Sequence, residues 1–389
     1  MDDLTKEILI GCERFKKLIE LQLQRVEGLK SGVDFVDYSK KSKIILGFCG
    51  GDGIGPLIVE QARRVLECLL KNELESGKVK FKSIDGLAIE NRAKLRQTLP
   101  EDVLNQINSC DVFLKGPTLT PRKGDGFPML ESANVALRRE LDLFANVRPI
   151  KVNSKGIDWT FFRENTEDLY ALGSNGLEIG PDLAFDFKVI SKLATERIAK
   201  MAFDFAKRTG RKQVTVVTKA NILKTTDGNF LQTCSEVAKK FPEIEFNDIY
   251  VDIATAKLID EREQKNFSVF VLPNLYGDIL TDEAAQIQGG VGTAGSANIG
   301  CCHAMFEAVH GCAPQMFVEN RQQYADPSSI MRASAMMLEH VGFNQKANIL
   351  NSVLDYCCFE QKNFKITGFD DGATTEQFTD YVLQTLQNL

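Results

Sequence analysis

The amino-acid sequence predicts an α/β fold with a mainly parallel sheet covered by helices. The chain has 389 residues, of which 43% are hydrophobic, so it can form two domains or one large α/β unit with a sizeable core. Short apolar strands alternate with helical patterns along the chain, which is typical of parallel sheets. One of these strands leads through a glycine-rich turn directly into a helix.

The first element is a predicted amphipathic helix from Leu4 to about Leu29. Charged residues fill much of the face opposite its apolar positions. This pattern favours a helix packed on its own domain or on a second subunit over a membrane or regulatory helix. The apolar positions recur at steps of three and four residues, which is the helical period: Leu4, Ile8, Cys12, Phe15, Ile19, Leu23 and Val26.

The main body begins with a strand over residues 43–49, a turn over 50–56 and a helix. The turn has neither the glycine spacing of a dinucleotide-binding loop nor the lysine of a phosphate loop, so a structural tight turn is at least as well supported. No repeat or flexible linker interrupts the chain, so any second domain is expected to form by insertion. Further strands are predicted at 111–114, 215–218 and 267–273, and helices at 189–209 and 229–240.

Composition excludes several classes of protein. The net charge of -6, from 47 basic and 53 acidic residues, argues against nucleic-acid and anionic-membrane surfaces, which leaves small molecules or other proteins as partners. No apolar run approaches the roughly 20 residues of a membrane span, and the amino terminus lacks the pattern of a signal peptide. Ten scattered cysteines predict reduced thiols in the cytoplasm, with the pairs Cys301-Cys302 and Cys357-Cys358 as buried thiols.

Three arginines lie among apolar neighbours, at Arg138, Arg148 and Arg163. Arginine is seldom buried without an acidic partner, and a ligand with several carboxylates would supply such partners. Ion pairs with residues of the same chain explain the arginines equally well, and the candidates are Glu140, Asp142 and Glu164. The sequence alone leaves this choice open.

Two aspartates, Asp278 and Asp282, are predicted one turn apart on the same face of a helix. Two like charges repel there unless a divalent cation or an arginine lies between them, and oxygen ligands without histidine favour Mg²⁺ or Mn²⁺. A favourable interaction with the helix dipole explains one aspartate better than two, so a metal site is favoured.

Farther along the chain, His310 lies beside Gly311 in a predicted loop. Its imidazole is suited to stack on a flat ring of a ligand.

Together these segments resemble the isocitrate and isopropylmalate dehydrogenase family, the decarboxylating β-hydroxyacid dehydrogenases, over roughly residues 43–389. The segments 132–138 and 163–170 look like the isocitrate branch, because an isopropylmalate enzyme usually carries leucines where Ser132 and Asn134 stand. The resemblance implies a two-domain fold of the isopropylmalate/isocitrate dehydrogenase type with an amino-terminal helical extension. Its implied parts are an extension over 1–32, a large cofactor-binding domain over 33–143 and 289–389, and a small domain over 144–288 with dimer contacts and the metal site.

The same resemblance assigns residue roles. Lys219 would take part in deprotonating the substrate hydroxyl, and Tyr170 would protonate the enol at C3. Asp278 and Asp282 of one subunit, with Asp252 of the other, would hold Mg²⁺ or Mn²⁺. Lys219 would also come from the partner subunit, so the resemblance implies a homodimer with shared active sites, or a higher assembly. The substrate-binding residues would be Ser132, Asn134, Arg138, Arg148 and Arg163.

The cofactor implied by the resemblance is NAD. NADP-dependent members commonly carry Lys and Tyr just after an Ala-Pro pair, whereas Gln315 and Met316 follow Ala313 and Pro314 here. The side chains at this position therefore supply no positive charge to bind the 2′-phosphate of NADP. The cofactor-binding residues would be Thr120, Asn221, His310, Gly311, Ala313 and Asp326.

The expected function is the metal-dependent oxidative decarboxylation of isocitrate to 2-oxoglutarate with hydride transfer to NAD, a step of the tricarboxylic acid cycle. Two alternatives remain. One is the same reaction on homoisocitrate, isopropylmalate or tartrate, and the other is a non-catalytic regulatory subunit of a hetero-oligomeric isocitrate dehydrogenase. Regulatory subunits lose parts of the metal or acid/base set, which is complete in this sequence, so catalysis is favoured.

Overall fold

The computed structural model describes residues 3–173, 176–361 and 364–388. The strands are β1 (Ile44–Cys49), β2 (Val79–Ile84), β3 (Val112–Lys115), β4 (Ala145–Val152), β5 (Ile157–Glu164), β6 (Leu177–Ile179), β7 (Leu183–Phe185), β8 (Gln213–Thr218), β9 (Glu245–Tyr250), β10 (Val269–Leu272), β11 (Gly295–Ile299) and β12 (Ala304–Ala308). The helices are α1 (Asp3–Leu29), α2 (Gly55–Leu69), α3 (Lys71–Glu75), α4 (Ile89–Leu95), α5 (Glu101–Asn108), α6 (Ala133–Glu140), α7 (Lys192–Thr209), α8 (Thr226–Ala238), α9 (Val251–Ile259), α10 (Asn274–Gln288), α11 (Pro314–Val318), α12 (Ser328–His340), α13 (Asn344–Asp355) and α14 (Thr375–Gln387).

The chain forms two compact units. The first consists of Met1–Asp34, Phe144–Asn146 and Lys151–Thr281, and the second of Phe35–Leu143, Val147–Ile150 and Asp282–Leu389. Each unit is therefore assembled from separate stretches of the sequence. The predicted domain roles, with a cofactor domain and a dimer-forming domain, stay predictions.

In the first unit, β5, β10, β8 and β9 are parallel neighbours in that order. The core of this sheet is aromatic: the rings of Phe161 and Phe270 stack at 4.5 Å, and buried Trp159 lies edge-on to both. Helix α7 packs on β5 and β10. It begins where the Ser191 side chain accepts a hydrogen bond from the Ala194 amide, which satisfies a helical N–H that has no partner in the helix.

Helix α1 also belongs to the first unit, where it contacts α7 and β6, and β6 and β7 form an antiparallel hairpin. The helix confirms the predicted amino-terminal extension and ends at Leu29 as expected. Its apolar positions are less buried than an amphipathic helix packed on its own domain requires, since the exposed fractions of Ile8 and Leu23 are 48% and 64%. On the side of α1 that faces the rest of this unit, Gly11 lies against Ile179 of β6, and the ring of the predicted apolar residue Phe15 stacks on Phe187 at 4.7 Å.

In the second unit, β2, β1, β3 and β12 are parallel in that order, and β11 is antiparallel to β12. The turn after β1 has a structural role. A Cβ atom on Gly51 would lie 2.2 Å from the carbonyl oxygen of Pro117, so only glycine fits this close approach. The buried Asp52 carboxylate of the same turn accepts hydrogen bonds of 2.6 Å from the amides of Ile89 and Leu119.

The prediction of a mainly parallel sheet covered by helices is confirmed in both units. The prediction for the cysteine pairs is only partly correct. Cys357 is buried, but Cys302 is exposed because it lies in the turn between β11 and β12. Among the described residues, no helix is both long and apolar enough to cross a lipid bilayer.

Candidate active site

Four side chains converge where β5 ends and α10 begins in the first unit. Arg163, whose side chain is 1% exposed, donates through Nε to Oδ1 of Asn274 at 2.8 Å and forms an ion pair with Asp278. The Tyr170 hydroxyl donates to the other oxygen of Asp278 at 2.9 Å. Gly277 permits this packing, because a Cβ atom there would lie 2.5 Å from the Arg163 side chain. A predicted substrate ligand, acid and metal ligand are therefore in contact.

The loop between Arg163 and Tyr170 is held by its own carboxylates. Glu164 accepts hydrogen bonds from the amides of Thr166 and Glu167 at 2.9 and 2.6 Å, and Asp168 accepts one from the amide of Leu275 at 2.7 Å. Burial and the neighbouring Glu167 carboxylate raise the pKa of Glu164 to about 7. Asp168 has a φ of 67°, an uncommon conformation for a residue other than glycine. These bonds fix the loop against the start of α10.

A second pair lies at the carboxyl ends of the parallel strands β8 and β9. The Lys219 ammonium donates to Oδ1 of Asp252 at 2.5 Å and lies 5.7 Å from the centre of the Tyr250 ring. This hydrogen bond lowers the pKa of Asp252. The Lys219 backbone is anchored as well, because its amide donates to the buried Asp227 carboxylate at 2.6 Å. The predicted base and the third predicted metal ligand therefore occur together.

In the second unit, Arg138 of α6 belongs to a buried charged network. Its guanidinium donates to Oε1 of Glu307 at 3.2 Å, and the ammonium of the fully buried Lys115 lies 3.1 Å from Oε2. Asn298 donates to the same carboxylate at 2.8 Å. Burial opposes ionisation of Glu307, but the positive charges of Lys115 and Arg138 hold its pKa at about 2. The Nε atom of Arg138 is buried without a hydrogen-bond partner among the described residues.

The acidic partners of the three arginines differ from the expected ones. Arg138 pairs with Glu307, and Arg163 pairs with Asp278. Arg148 of β4 donates to Oδ1 of Asp282 at 2.8 Å. These three partners lie outside the candidate set of Glu140, Asp142 and Glu164, because the order of the strands brings distant segments to each guanidinium.

The other predicted substrate ligands lie around the start of α6. Asn134 accepts a hydrogen bond of 3.0 Å from the hydroxyl of Thr118 through its side-chain oxygen. Ser132 precedes the helix without capping it through its side chain. Both residues are half-buried.

The predicted cofactor residues of the second unit include a polar atom that lacks a partner. His310 contacts the carbonyl oxygen of Gly311 through Nδ1 at 3.0 Å, while its Nε2 atom is shielded from solvent and has no hydrogen-bond partner among the described residues. Burial raises the pKa of Asp326, although His310 and the Ser328 amide oppose the shift. Ala313 has a φ of 49° where α11 begins. A ligand group at His310 would satisfy this nitrogen, so the residues present suit a nucleotide.

The remaining two cofactor candidates, Thr120 and Asn221, are exposed side chains. The predicted metal ligands have donors that suit Mg²⁺ or Mn²⁺, since all three are carboxylates. Within residues 3–173, 176–361 and 364–388, however, no three His, Cys, Asp or Glu side chains of one chain are gathered to hold a metal. In this single chain, each predicted metal ligand pairs with a basic side chain.

The sequence interpretation missed several residues of these groups. Asn274 begins the segment that contains Asp278, so its polar side chain directly after a buried strand was a usable signal. Glu307 and Lys115 lie inside apolar strands far from Arg138 along the chain, and no local pattern indicates their pairing.

Comparison with known proteins identifies the family of this chain. A sequence model of the isocitrate/isopropylmalate dehydrogenase family matches residues 45–382. The chain is 37% identical to the protein named isocitrate dehydrogenase [NAD] regulatory subunit 1, mitochondrial, of Arabidopsis thaliana, over 86% of this chain and 88% of that protein. It is 36% identical to the homoisocitrate dehydrogenase of Methanocaldococcus jannaschii, over 80% and 89%. The crystal structure of isocitrate dehydrogenase from Methylococcus capsulatus aligns with a TM-score of 0.76 at 34% identity, covering 88% of this chain and 99% of that chain.

Proposed function

The chain belongs to the isocitrate/isopropylmalate dehydrogenase family of decarboxylating dehydrogenases, and we propose that it oxidises isocitrate to 2-oxoglutarate and CO₂ with NAD as the hydride acceptor. The observation that carries this proposal is the contact of Tyr170 and Arg163 with Asp278. This contact supports the proposal because it joins the proposed proton donor, the proposed carboxylate-binding guanidinium and a proposed metal ligand.

The substrate would be bound by the three arginines and by the residues at the start of α6. A guanidinium binds a carboxylate through two parallel hydrogen bonds, and the buried Nε of Arg138 lacks a protein partner among the described residues, so it is suited to bind a substrate carboxylate. The hydroxyl of Thr118 donates a hydrogen bond to the side-chain oxygen of Asn134. This bond orients the amide NH₂ group of Asn134 as a donor toward the substrate. Ser132 and Asn134 would bind the carboxylate that distinguishes isocitrate from isopropylmalate, because a hydroxyl and an amide would lack partners beside an isopropyl group.

Lys219 and Tyr170 are the proposed proton-transfer residues. Lys219 takes part in removing the proton of the substrate hydroxyl as the hydride leaves C2 for the nicotinamide. After CO₂ is lost from C3, Tyr170 donates a proton to that carbon. Asp252, Asp278 and Asp282 would hold Mg²⁺ or Mn²⁺, which supplies positive charge against the developing oxyanion.

We further propose a homodimer in which each active site takes residues from both chains. The two predicted halves of the site are separate groups in a single chain, with Lys219 paired to Asp252 and Tyr170 paired to Asp278. No described cluster within one chain holds three metal ligands. A second chain that contributes Lys219 and Asp252 would complete the site.

NAD is the proposed cofactor. His310, Gly311, Ala313 and Asp326 would surround the adenosine half, with Thr120 and Asn221 as further contacts. Neither side chain after Ala-Pro is charged: Met316 is apolar, and Gln315 donates a hydrogen bond of 2.7 Å to Glu319, whose carboxylate also pairs with Arg321. Neither residue therefore supplies a cation for a 2′-phosphate.

A regulatory subunit is the second candidate function, because the relative from Arabidopsis thaliana has that name. The complete set of Tyr170, Lys219 and the three aspartates favours a catalytic chain over this alternative. Homoisocitrate is the alternative substrate, because the relative from Methanocaldococcus jannaschii is a homoisocitrate dehydrogenase.

A substrate panel tests these proposals. Purified protein with Mn²⁺ is assayed with isocitrate, homoisocitrate, isopropylmalate and tartrate, each with NAD and with NADP, and both reduced nicotinamide and the keto-acid product are measured. We expect the highest kcat/KM for isocitrate with NAD. Faster turnover of homoisocitrate would replace the substrate assignment. Turnover that requires a second type of subunit would favour the regulatory role.

A further inference from the structure

Helix α1 reaches the loop before Tyr170 through one arginine. The guanidinium of Arg25 donates from Nη2 to Oε1 of Glu167, whose side chain is 1% exposed. A second bond of 3.1 Å, from Nε of Arg25 to Gln22 on the same helix, orients the guanidinium. The Glu167 carboxylate also accepts hydrogen bonds from the amide and the hydroxyl of Ser191 at 2.7 and 2.5 Å.

The loop needs this cation because it buries two carboxylates. Glu164 and Glu167 are both 1% exposed, and the Glu167 carboxylate disfavours the charge on Glu164. Two arginines from different helices face them. Arg197 of α7 lies near Glu164 and donates to the Thr166 hydroxyl at 3.3 Å, while Arg25 of α1 pairs with Glu167. An unpaired carboxylate at this depth is strongly unfavourable.

A continuous set of hydrogen bonds joins Glu167 to the candidate acid. The Glu167 carbonyl accepts a bond of 3.2 Å from the side-chain nitrogen of Asn274, whose oxygen accepts the 2.8 Å bond from Arg163. Arg163 and Tyr170 both bind Asp278. A displacement of the Glu167 backbone therefore disturbs the carboxylate to which Tyr170 is bonded.

We propose that Arg25 is a positioning residue, which holds the loop 164–170 against α10 by pairing with Glu167 and so orients Tyr170 and Arg163. This inference rests on the proposed function, since it assumes that Tyr170 acts on the substrate. It gives a role to helix α1, which precedes the segment that matches the family. Without Arg25, the buried Glu167 carboxylate loses its ion pair with α1, and this loss loosens the loop.

The first test measures the loop itself and needs no substrate. Hydrogen exchange of peptides covering 164–172 is compared in the wild type, Arg25→Met and Arg14→Met, which removes an exposed arginine of the same helix. We expect exchange at least about tenfold faster in Arg25→Met and no change in Arg14→Met. The double variant Arg25→Met/Glu167→Gln removes both charges and is expected to restore protection.

The second test measures turnover of isocitrate by the same variants. Arg25→Met is expected to lower kcat roughly 10- to 100-fold with the KM for NAD unchanged, and Arg25→Lys to recover part of the loss. If Arg25→Met does not fold, Arg25→Lys and the double variant are used in its place. The proposal is supported if the segment 164–172 of both variants is protected from hydrogen exchange and both variants turn over isocitrate. It is overturned if either variant loses this protection or is inactive. An Arg25→Met protein that matches Arg14→Met in exchange or in kcat also overturns it. A wild type that does not turn over isocitrate instead contradicts the proposed function, and hydrogen exchange still tests the pairing.

Discussion

The hydroxyl of Tyr170 donates a hydrogen bond of 2.9 Å to Oδ2 of Asp278, so a candidate proton donor and a candidate metal ligand are in direct contact within one chain. An ionised carboxylate only accepts hydrogen bonds, so this contact requires the proton on the phenol oxygen. The geometry therefore presents Tyr170 in the protonated form that a general acid needs.

Removal of this hydroxyl is expected to slow turnover without unfolding the chain. In Tyr170→Phe we expect kcat for isocitrate to fall about 100-fold or more, because proton donation at C3 is lost, with a smaller change in KM. Steady-state kinetics and a thermal melt check both parts. Tyr324→Phe is the control, and a Tyr170→Phe enzyme as fast as this control would exclude Tyr170 as the acid.

Shared active sites predict complementation between two damaged chains. Tyr170→Phe and Lys219→Met homodimers are each expected to be nearly inactive. If the chains exchange freely, an equimolar mixture refolded together should recover about a quarter of wild-type activity, because half of the dimers are hybrids with one intact site out of two. A mixture no more active than its components would mean that both residues serve the same chain's site.

Metal removal is expected to stop turnover reversibly. Chelation should abolish activity, and Mn²⁺ should restore it. In Asp282→Asn we expect Mn²⁺ affinity, measured by calorimetry, to fall by at least the roughly 10- to 100-fold typical of losing a supporting group. Glu283→Gln, the neighbouring acid on α10, should bind Mn²⁺ normally, and equal losses in both variants would contradict the assignment.

The buried Glu307 network predicts a defined pH dependence of stability. The pKa of Glu307 is about 2 in the folded chain, below the usual value of 4.5, because Lys115 and Arg138 overcome the cost of burial. Its ionised form therefore stabilises the fold above about pH 4.5, and this contribution is lost as the pH falls from there toward 2.

Glu307→Gln is accordingly expected to lower the free energy of unfolding at pH 7 by roughly 3–5 kcal/mol, since it leaves Lys115 buried without its carboxylate. The deficit relative to the wild type should shrink at pH 3.5. Urea denaturation at the two pH values measures this difference, and a deficit that grows in acid would contradict the ionised network.

Cofactor preference is expected to depend on the two residues after Pro314. In Gln315→Lys/Met316→Tyr we expect kcat/KM for NADP to rise at least about tenfold, because a lysine cation and a tyrosine hydroxyl would replace an amide and a thioether at the proposed position of the 2′-phosphate. Kinetics with both cofactors check this, and Gln322→Lys is a control for added charge. A wild type that prefers NADP would overturn the NAD assignment at once.

Much of the fold could be predicted from the sequence, because its signals are local. The period of apolar residues placed the strand at 43–49 and the long first helix, which the structure has at Ile44–Cys49 and Asp3–Leu29. The partial exposure of Ile8 and Leu23 could not be predicted, because periodicity shows which residues share a face but not what covers that face.

The sequence by itself supplied the candidate residues Arg138, Arg163, Lys219 and Asp278, whose roles stay predictions, but it did not indicate Asn274, Glu307 or Lys115. Only the tertiary structure decided which charges meet. Arg138 pairs with Glu307, 169 residues later, and Arg25 pairs with Glu167, 142 residues later. Such pairs depend on strand order and on the docking of α1, and neither leaves a local spacing pattern. Burial then sets their strength, since a charge removed from water needs a partner wherever that partner lies along the chain.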